Sequence, residues 1–267
     1  MSAEFANGSH TDITITDDAV HKVIGYDLEP EVAGRLADHL EQYVAAFEDE
    51  PIDVAPLRDV RVSRDSSGGH HVEYTNQLCN GPHLSRLPGE DMQPALGRVL
   101  GQIANMSQLD DSGTLRVPLD AATDNFCVED TGSVLVDIFP PLLRHNDGSF
   151  PFEDVPYSFS EIRQRMLAYR LGTVEGATLQ MLFTSVRGAT LGQQVLRSVR
   201  RVDDWCYDVI PPTLSDDSKA AIRRQLHSRF LPYLMRLGVA EGTGRLYKAL
   251  GTEPYESNGL GSTGSGD

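Results

Sequence analysis

The chain has 267 residues with 39 acidic and 23 basic side chains, which gives a formal net charge of −16 at pH 7. An acidic excess of this size is unfavourable for binding nucleic acid or anionic lipid, because both require clustered cations. The sequence has no apolar run of about 18 residues, no basic-then-apolar leader and only scattered cysteines, so we expect a cytoplasmic protein without a membrane span, a secretory signal or a disulfide framework.

The first part of the chain is predicted to be rich in strands. Residues 1–10 are expected to be disordered, whereas ITIT (13–16) and AVHKVIGY (19–26) flank a two-aspartate turn and indicate a β-hairpin. VRVSR (60–64) and HHVEYTNQL (70–78) indicate a second strand pair. Between the pairs, a proline followed by apolar residues at three- and four-residue steps predicts a helix with the stripe Val32, Leu36, Leu40, Val44 and Phe47.

The later part of the chain is predicted to be mainly helical. A helix is expected to end near residue 107, after which FCV (126–128) and SVLVDIF (133–139) flank a turn and indicate another hairpin. From Ser160 the apolar spacing is helical nearly to Leu250.

These patterns predict an α+β fold built from two lobes. A reduced, strand-rich lobe is expected over residues 11–78 and a mainly helical lobe over 82–256, joined near the Asn-Gly-Pro sequence at 80–82. The tail, residues 257–267, is low in complexity and is expected to be flexible. It contains GLGSTG, but with no strand before it and no helix after it, we interpret this match to a phosphate-binding loop as chance.

Three polar residues around the second hairpin point to function. Asp120 is followed by four residues, Asn125, the hairpin and then Asp137. This pattern resembles the catalytic segment of the protein-kinase-like superfamily, and it is closer to the aminoglycoside and choline phosphotransferases than to protein kinases proper. The resemblance implies that Asp120 meets the acceptor hydroxyl, while Asn125 and Asp137 hold Mg²⁺ at the phosphates of ATP. Without further support, a hairpin with carboxylates that cap turns is an equal alternative.

The segment departs from the family pattern at three positions. Pro118 stands where the family has His or Arg, and Ile138 and Phe139 replace the Phe and Gly that follow the metal-binding Asp in protein kinases. The small-molecule branch often lacks that Gly as well.

Lys22 extends the resemblance into the strand-rich part. In kinase-like folds a strand Lys grips the α- and β-phosphates and pairs with a Glu on the next helix. Lys22 lies in the strand before the predicted helix and is one of only three lysines, and Glu41 is the candidate partner. Glu31 and Glu48 are alternatives, and an exposed edge-strand lysine is the alternative to a phosphate-binding role.

The leading prediction from the sequence is a kinase-like phosphotransferase that uses ATP and Mg²⁺ to phosphorylate a hydroxyl group of a small molecule. Because only about one strand fits before Lys22 and no glycine-rich loop is present, the strand-rich lobe is interpreted as truncated. A catalytically silent nucleotide-binding or interaction module is therefore the main alternative, and an acidic helical scaffold is a third. Neither the acceptor nor the oligomeric state is indicated by any motif.

The composition of the charged residues predicts a dependence on salt. The chain has 24 Asp and 15 Glu against 20 Arg and 3 Lys, a bias typical of halophilic proteins, although an acidic protein of ordinary habitat is the alternative. Lowering potassium chloride from molar to low-millimolar should lower the melting temperature, because the screening length grows from about 3 Å to tens of ångströms. Equal melting temperatures at both salts, followed by circular dichroism, would contradict the halophilic hypothesis.

Overall fold

The computed structural model describes residues 4–8, 11–16, 18–64, 66, 68–129, 132–138, 142–145, 147–152, 160–187, 208–226 and 228. The chain divides into two compact units, Met1–Arg224 and Gln225–Asp267, and every element named below belongs to the first. The predicted flexible tail and its GLGSTG sequence lie outside the described residues. None of the helices in these ranges is both long enough and apolar enough to cross a bilayer.

The described elements form an α+β fold, as predicted. The strands are β1 (Glu4–Gly8), β2 (Thr11–Ile15), β3 (Ala19–Leu28), β4 (Asp53–Val54), β5 (Leu57–Arg64), β6 (His70–Gln77), β7 (Phe126–Val128) and β8 (Ser133–Leu135). The helices are α1 (Pro30–Ala45), α2 (Gly89–Ala104), α3 (Glu161–Gly172) and α4 (Val174–Arg187). The predicted hairpins and the predicted helix at Pro30 are confirmed, while the division into two lobes stays a prediction.

The larger sheet is antiparallel and has the strand order β1-β2-β3-β6-β5. The expectation of disorder at the start of the chain is wrong, because Glu4–Gly8 pairs along its length with Thr11–Ile15. Backbone hydrogen bonds to the free edge of β2 form this strand, and its sequence EFANG carries no alternating apolar pattern that could have revealed it. The sheet therefore has five strands where the sequence predicts four.

Helix α1 covers one face of the sheet and packs on β5 and β6. Its buried side chains are Ala33, Leu36, Leu40 and Tyr43, and Phe47 follows just beyond its end. The same face of the sheet carries the buried Lys22, Ile24, Val72, Tyr74 and Asn76, because these residues alternate along β3 and β6.

A second, three-stranded sheet has the order β4-β8-β7. Strands β7 and β8 form the predicted hairpin, and β4 adds to β8 in the parallel direction through only two residue pairs. Strand β8 ends at Leu135, earlier than predicted, at the point where the next carbonyl, Val136 O, accepts a hydrogen bond from Lys22 of the larger sheet. The two sheets therefore meet at the end of the hairpin.

Helices α3 and α4 are joined by a sharp corner at Thr173. The Thr173 hydroxyl donates to Tyr169 O at 2.8 Å and accepts from Gly176 N at 2.9 Å, so it ties the end of one helix to the start of the next. Gly176 is required there, since a Cβ atom would collide with the Tyr169 carbonyl. Leu115 N and Leu119 N donate to the carbonyls of the last two residues of α3, which fixes the segment leading to Asp120 against this corner.

Candidate active site

Lys22 and Asp137 meet directly although they are 115 positions apart in sequence. The Lys22 Nζ atom lies 3.1 Å from Asp137 Oδ1 and 3.1 Å from Val136 O, and the ring centre of Tyr74 is 5.9 Å away. The lysine side chain is 5% exposed, whereas the aspartate side chain is 41% exposed. A buried cation is therefore paired with a carboxylate that solvent reaches over part of its surface.

Asn125 lies across the hairpin from these residues. Its backbone carbonyl accepts from Val136 N at 2.8 Å, which continues the β7–β8 pairing and places Asn125 opposite the residue that precedes Asp137. The Asn125 Nδ2 group donates to Asp120 O at 3.0 Å. The side-chain amide therefore closes the six-residue loop from Asp120 to Asn125, and its oxygen is the atom that remains for a ligand.

The Asp120 carboxylate is held on both oxygens. Gln180 Nε2, from α4, donates a short hydrogen bond to Oδ1, and the Arg170 guanidinium, from α3, lies 3.6 Å from Oδ2. Burial raises the pKa of Asp120 above its usual value, and the negative charge of Asp137 acts in the same direction. Arg170 and Gln180 counteract that rise without cancelling it. A carboxyl group with a raised pKa is suited to accept a proton near neutral pH.

Tyr43 connects α1 to the loop that carries Asp120. Its hydroxyl donates to Pro118 O at 2.6 Å, and the side chain is buried. Burial raises the pKa of Tyr43 far above its usual value, and the charges of Asp120 and Asp137 raise it further, so the phenol remains a donor. Burial and Asp137 likewise raise the pKa of Tyr74. Both tyrosines thus line the protein side of the site in their neutral form.

The predicted pairing of Lys22 with Glu41 is corrected by the structure, in which the ion pair of Lys22 is with Asp137. Glu41 is exposed because it follows Leu40, and the buried face of α1 continues through Tyr43 instead. The alternatives Glu31 and Glu48 are exposed as well. The helix therefore presents a phenol to the site, where the resemblance implied a carboxylate.

Four residues of the site were missed by the sequence analysis, namely Tyr43, Tyr74, Arg170 and Gln180. Tyr43 could have been found, since it lies on the same helical face as Leu36, Leu40 and Phe47. It was omitted because the predicted stripe counted only apolar side chains and tyrosine carries a hydroxyl. Arg170 and Gln180 carry no local signal, because their relation to Asp120 depends on the corner between α3 and α4.

The donor set fits a magnesium ion that is bound largely through phosphates. Mg²⁺ prefers oxygen ligands and usually takes only one or two from the protein, with water and phosphate supplying the rest. Asp137 offers a half-exposed carboxylate and Asn125 an amide oxygen. Among the residues that the structure describes, no group of three or more His, Cys, Asp and Glu side chains forms a metal site of its own, so a zinc-type cage is not found there.

Comparison with known proteins gives structural similarity without sequence similarity. No family model matches the chain, and no curated protein matches it. It is similar to 137 solved chains, of which three are given. A co-crystal structure of WbdD with the kinase inhibitor LY294002 has 17% identity and a TM-score of 0.33, covering 51% of this chain and 31% of that one.

The MAP kinase LmaMPK10 from Leishmania major has 14% identity and a TM-score of 0.35, with coverages of 84% and 77%. WaaP in complex with acyl carrier protein has 11% identity and a TM-score of 0.35, with coverages of 77% and 86%. This chain spans about a third of the length of the WbdD chain. With TM-scores below 0.5, these similarities do not establish a family, so function is inferred from the residues of the site.

Proposed function

We propose that the protein is a kinase-like phosphotransferase that moves the γ-phosphoryl group of ATP to a hydroxyl group of a small molecule. The observation that carries this proposal is the contact between the buried Lys22 and the half-exposed Asp137, beside Asn125 and Asp120. These four residues supply a cation for phosphate oxygens, two oxygen ligands for a metal ion and a carboxylate for the acceptor.

Each residue has a distinct part in the proposed reaction. Lys22 binds phosphate oxygens with a compact ammonium group whose position is fixed by Val136 O and the neighbouring Tyr74 ring. Asn125 and Asp137 would hold Mg²⁺, which supplies neutralisation of phosphate charge when bound. Asp120 orients the acceptor hydroxyl and accepts its proton as the oxygen attacks the γ-phosphorus, while the bond to the β–γ bridging oxygen breaks and ADP leaves. Catalysis of this kind rests mainly on positioning and on electrostatic stabilisation.

A catalytically silent nucleotide-binding module is the second candidate. The observation that favours it is the Lys22–Asp137 ion pair itself, because each partner neutralises the charge that the other would offer to a ligand. Binding of Mg·ATP must then exchange this contact for contacts with phosphate and metal. A protein in which the exchange were unfavourable would bind nucleotide weakly and transfer nothing.

The proposal predicts stabilisation by nucleotide in the presence of magnesium. Mg·ATP at 100 times its dissociation constant should raise the free energy of unfolding by about 2.7 kcal/mol. Differential scanning fluorimetry with ATP, with and without Mg²⁺, measures the effect, and magnesium alone is the control. Absence of a shift with any nucleotide at low and at molar salt would favour the scaffold hypothesis over both nucleotide-binding candidates.

A further inference from the structure

Helix α4 supports the loop of Asp120 through two residues one turn apart. Gln180 Nε2 donates to Asp120 Oδ1, and Thr184 Oγ1 accepts a hydrogen bond from Thr123 N at 3.1 Å. The Thr184 hydroxyl in turn donates to Gln180 O at 3.1 Å. Residues at positions i and i+4 lie on the same helix face. One face of α4 therefore holds both the carboxylate and the backbone of the loop.

The two carboxylate oxygens of Asp120 face different surroundings. Gln180 is 8% exposed, so it approaches Oδ1 from the interior, whereas the Arg170 side chain at Oδ2 is 44% exposed. The other ionisable groups that face Asp120 are Asp137, after β8, and the neutral Tyr43 phenol of α1. A bond to Oδ1 from the interior turns Oδ2 toward the side from which an acceptor can arrive.

The amide of Gln180 has a further unusual property. Its Oε1 atom is buried and has no hydrogen-bond partner among the residues that the structure describes. Buried polar atoms are nearly always paired, so an unpaired one needs an explanation. The group that requires this amide is the Asp120 carboxylate, which accepts from Nε2 and would be repelled by Oε1. Packing alone does not explain a glutamine at this position, whereas a need for a neutral donor to Asp120 does.

We propose that Gln180 is a positioning residue that fixes the orientation of the Asp120 carboxylate, with Oδ2 directed toward the acceptor. The inference rests on the proposed function for its catalytic meaning, but the contact with Asp120 is independent of any substrate. Gln180 acts through Asp120, because its amide nitrogen donates to Oδ1 from the interior. Loss of the amide donor should therefore change the orientation of the Asp120 carboxylate before it changes anything else.

The test compares crystal structures of the wild type and Gln180→Leu. Without the amide donor, the Asp120 carboxylate should rotate about its Cβ–Cγ bond, so that Oδ2 no longer points toward the open side of the site. Gln180→Met is the second variant, because it keeps the length of the side chain if Gln180→Leu does not fold. Gln93→Leu is the matched control, since Gln93 also donates to an aspartate, Asp208, at a distant place.

The inference is overturned if the Asp120 carboxylate keeps its wild-type orientation in the folded Gln180 variants. It is supported if the carboxylate rotates in these variants and not in Gln93→Leu. When transfer is measured, kcat should fall in the Gln180 variants with KM for Mg·ATP unchanged. A rotated carboxylate in a protein that transfers no phosphate would refute the proposed function and leave the role of Gln180 intact.

Discussion

Asp120→Asn is expected to leave Mg·ATP binding nearly intact and to lower phosphoryl transfer by about 10²–10⁴-fold, the usual contribution of a positioned general base. The reason is that Asp120 and the residues proposed to bind Mg·ATP are held by different contacts. Asp120 is held by Gln180 and Arg170 at the helical corner, whereas Lys22, the cation proposed to bind phosphate, contacts Asp137. Isothermal titration with Mg·ATP measures binding, and phosphate release or transfer from labelled ATP measures turnover.

Asp137→Asn is the companion variant and should show the opposite pattern. The substitution removes a negative charge from the proposed metal ligands, so Mg·ATP binding itself should weaken. Lys22 keeps its bond to Val136 O and its contact with Tyr74, so the fold is expected to survive with a lower melting temperature. Binding is therefore measured well below that temperature, with circular dichroism as the check on folding.

Asp124→Asn is the matched control for both variants. Asp124 lies in the same loop, but its side chain is exposed. Its hydrogen bond with His83 Nδ1 is made by the backbone carbonyl, so the substitution leaves that bond in place. We expect this variant to bind and to turn over as the wild type does. If Asp120→Asn and Asp137→Asn merely lose about 1 kcal/mol of stability, as expected for a lost turn cap, the site is structural. If binding is lost in Asp137→Asn and no acceptor is found for the wild type, the nucleotide-binding module is the better account.

Lys22→Met is expected to weaken Mg·ATP binding by about 10–100-fold, the value of a hydrogen bond between charged groups, without loss of stability. Methionine retains the length and the unbranched shape of the lysine side chain in its buried position. The substitution removes a buried cation, and the Asp137 carboxylate that remains is 41% exposed and can be hydrated. Removal of one partner from a fully buried ion pair is destabilising because a charge stays buried and unpaired, and the exposure of Asp137 avoids that cost.

Lys219→Met is the control, since Lys219 pairs with Asp216 and donates to Pro212 O in another part of the chain. Binding by titration and melting by calorimetry should both match the wild type in this variant. A large fall in melting temperature in Lys22→Met would show that the ion pair exists to hold the two sheets together. Unchanged nucleotide affinity would remove Lys22 from the phosphate-binding group and leave the proposed function without its main support.

Local patterns predicted those parts of the site that short stretches of sequence determine. The Asp120 loop, the hairpin and the strand of Lys22 follow from turn residues and alternation. In the structure Lys22 contacts Asp137, and the Asn125 backbone pairs with the residue before it, Val136. The partner of Lys22 could not be predicted in the same way. The identity of this partner depends on which face of α1 is buried. Leu40 and Glu41 are adjacent in sequence, yet Leu40 is buried and Glu41 is exposed.

Contacts between residues on different secondary-structure elements could not be predicted from the sequence. The contact of Gln180 with Asp120 requires the corner at Thr173. That corner in turn requires a glycine at position 176, because a Cβ atom there would collide with the preceding helix. Periodicity describes a helix face but not what packs against it. Strand β1 was missed for a related reason, because its stability comes from the edge of β2 and not from its own side chains.

The parallel pair of β4 and β8 bears on how the molecule reaches its native state. The hairpin β7–β8 is closed by a short turn and can form within microseconds, whereas β4 must find β8 across a loop of about 80 residues. Two residue pairs give little energy to offset the entropy of that closure, so this pairing should form only after the surrounding core has collapsed. The contact between Lys22 and Asp137 spans an even longer separation and lies next to it. A newly synthesised chain could therefore form the strand of Lys22 and the hairpin before Asp137 in their native local structures. The proposed nucleotide site would be complete only after these two distant parts of the chain come together.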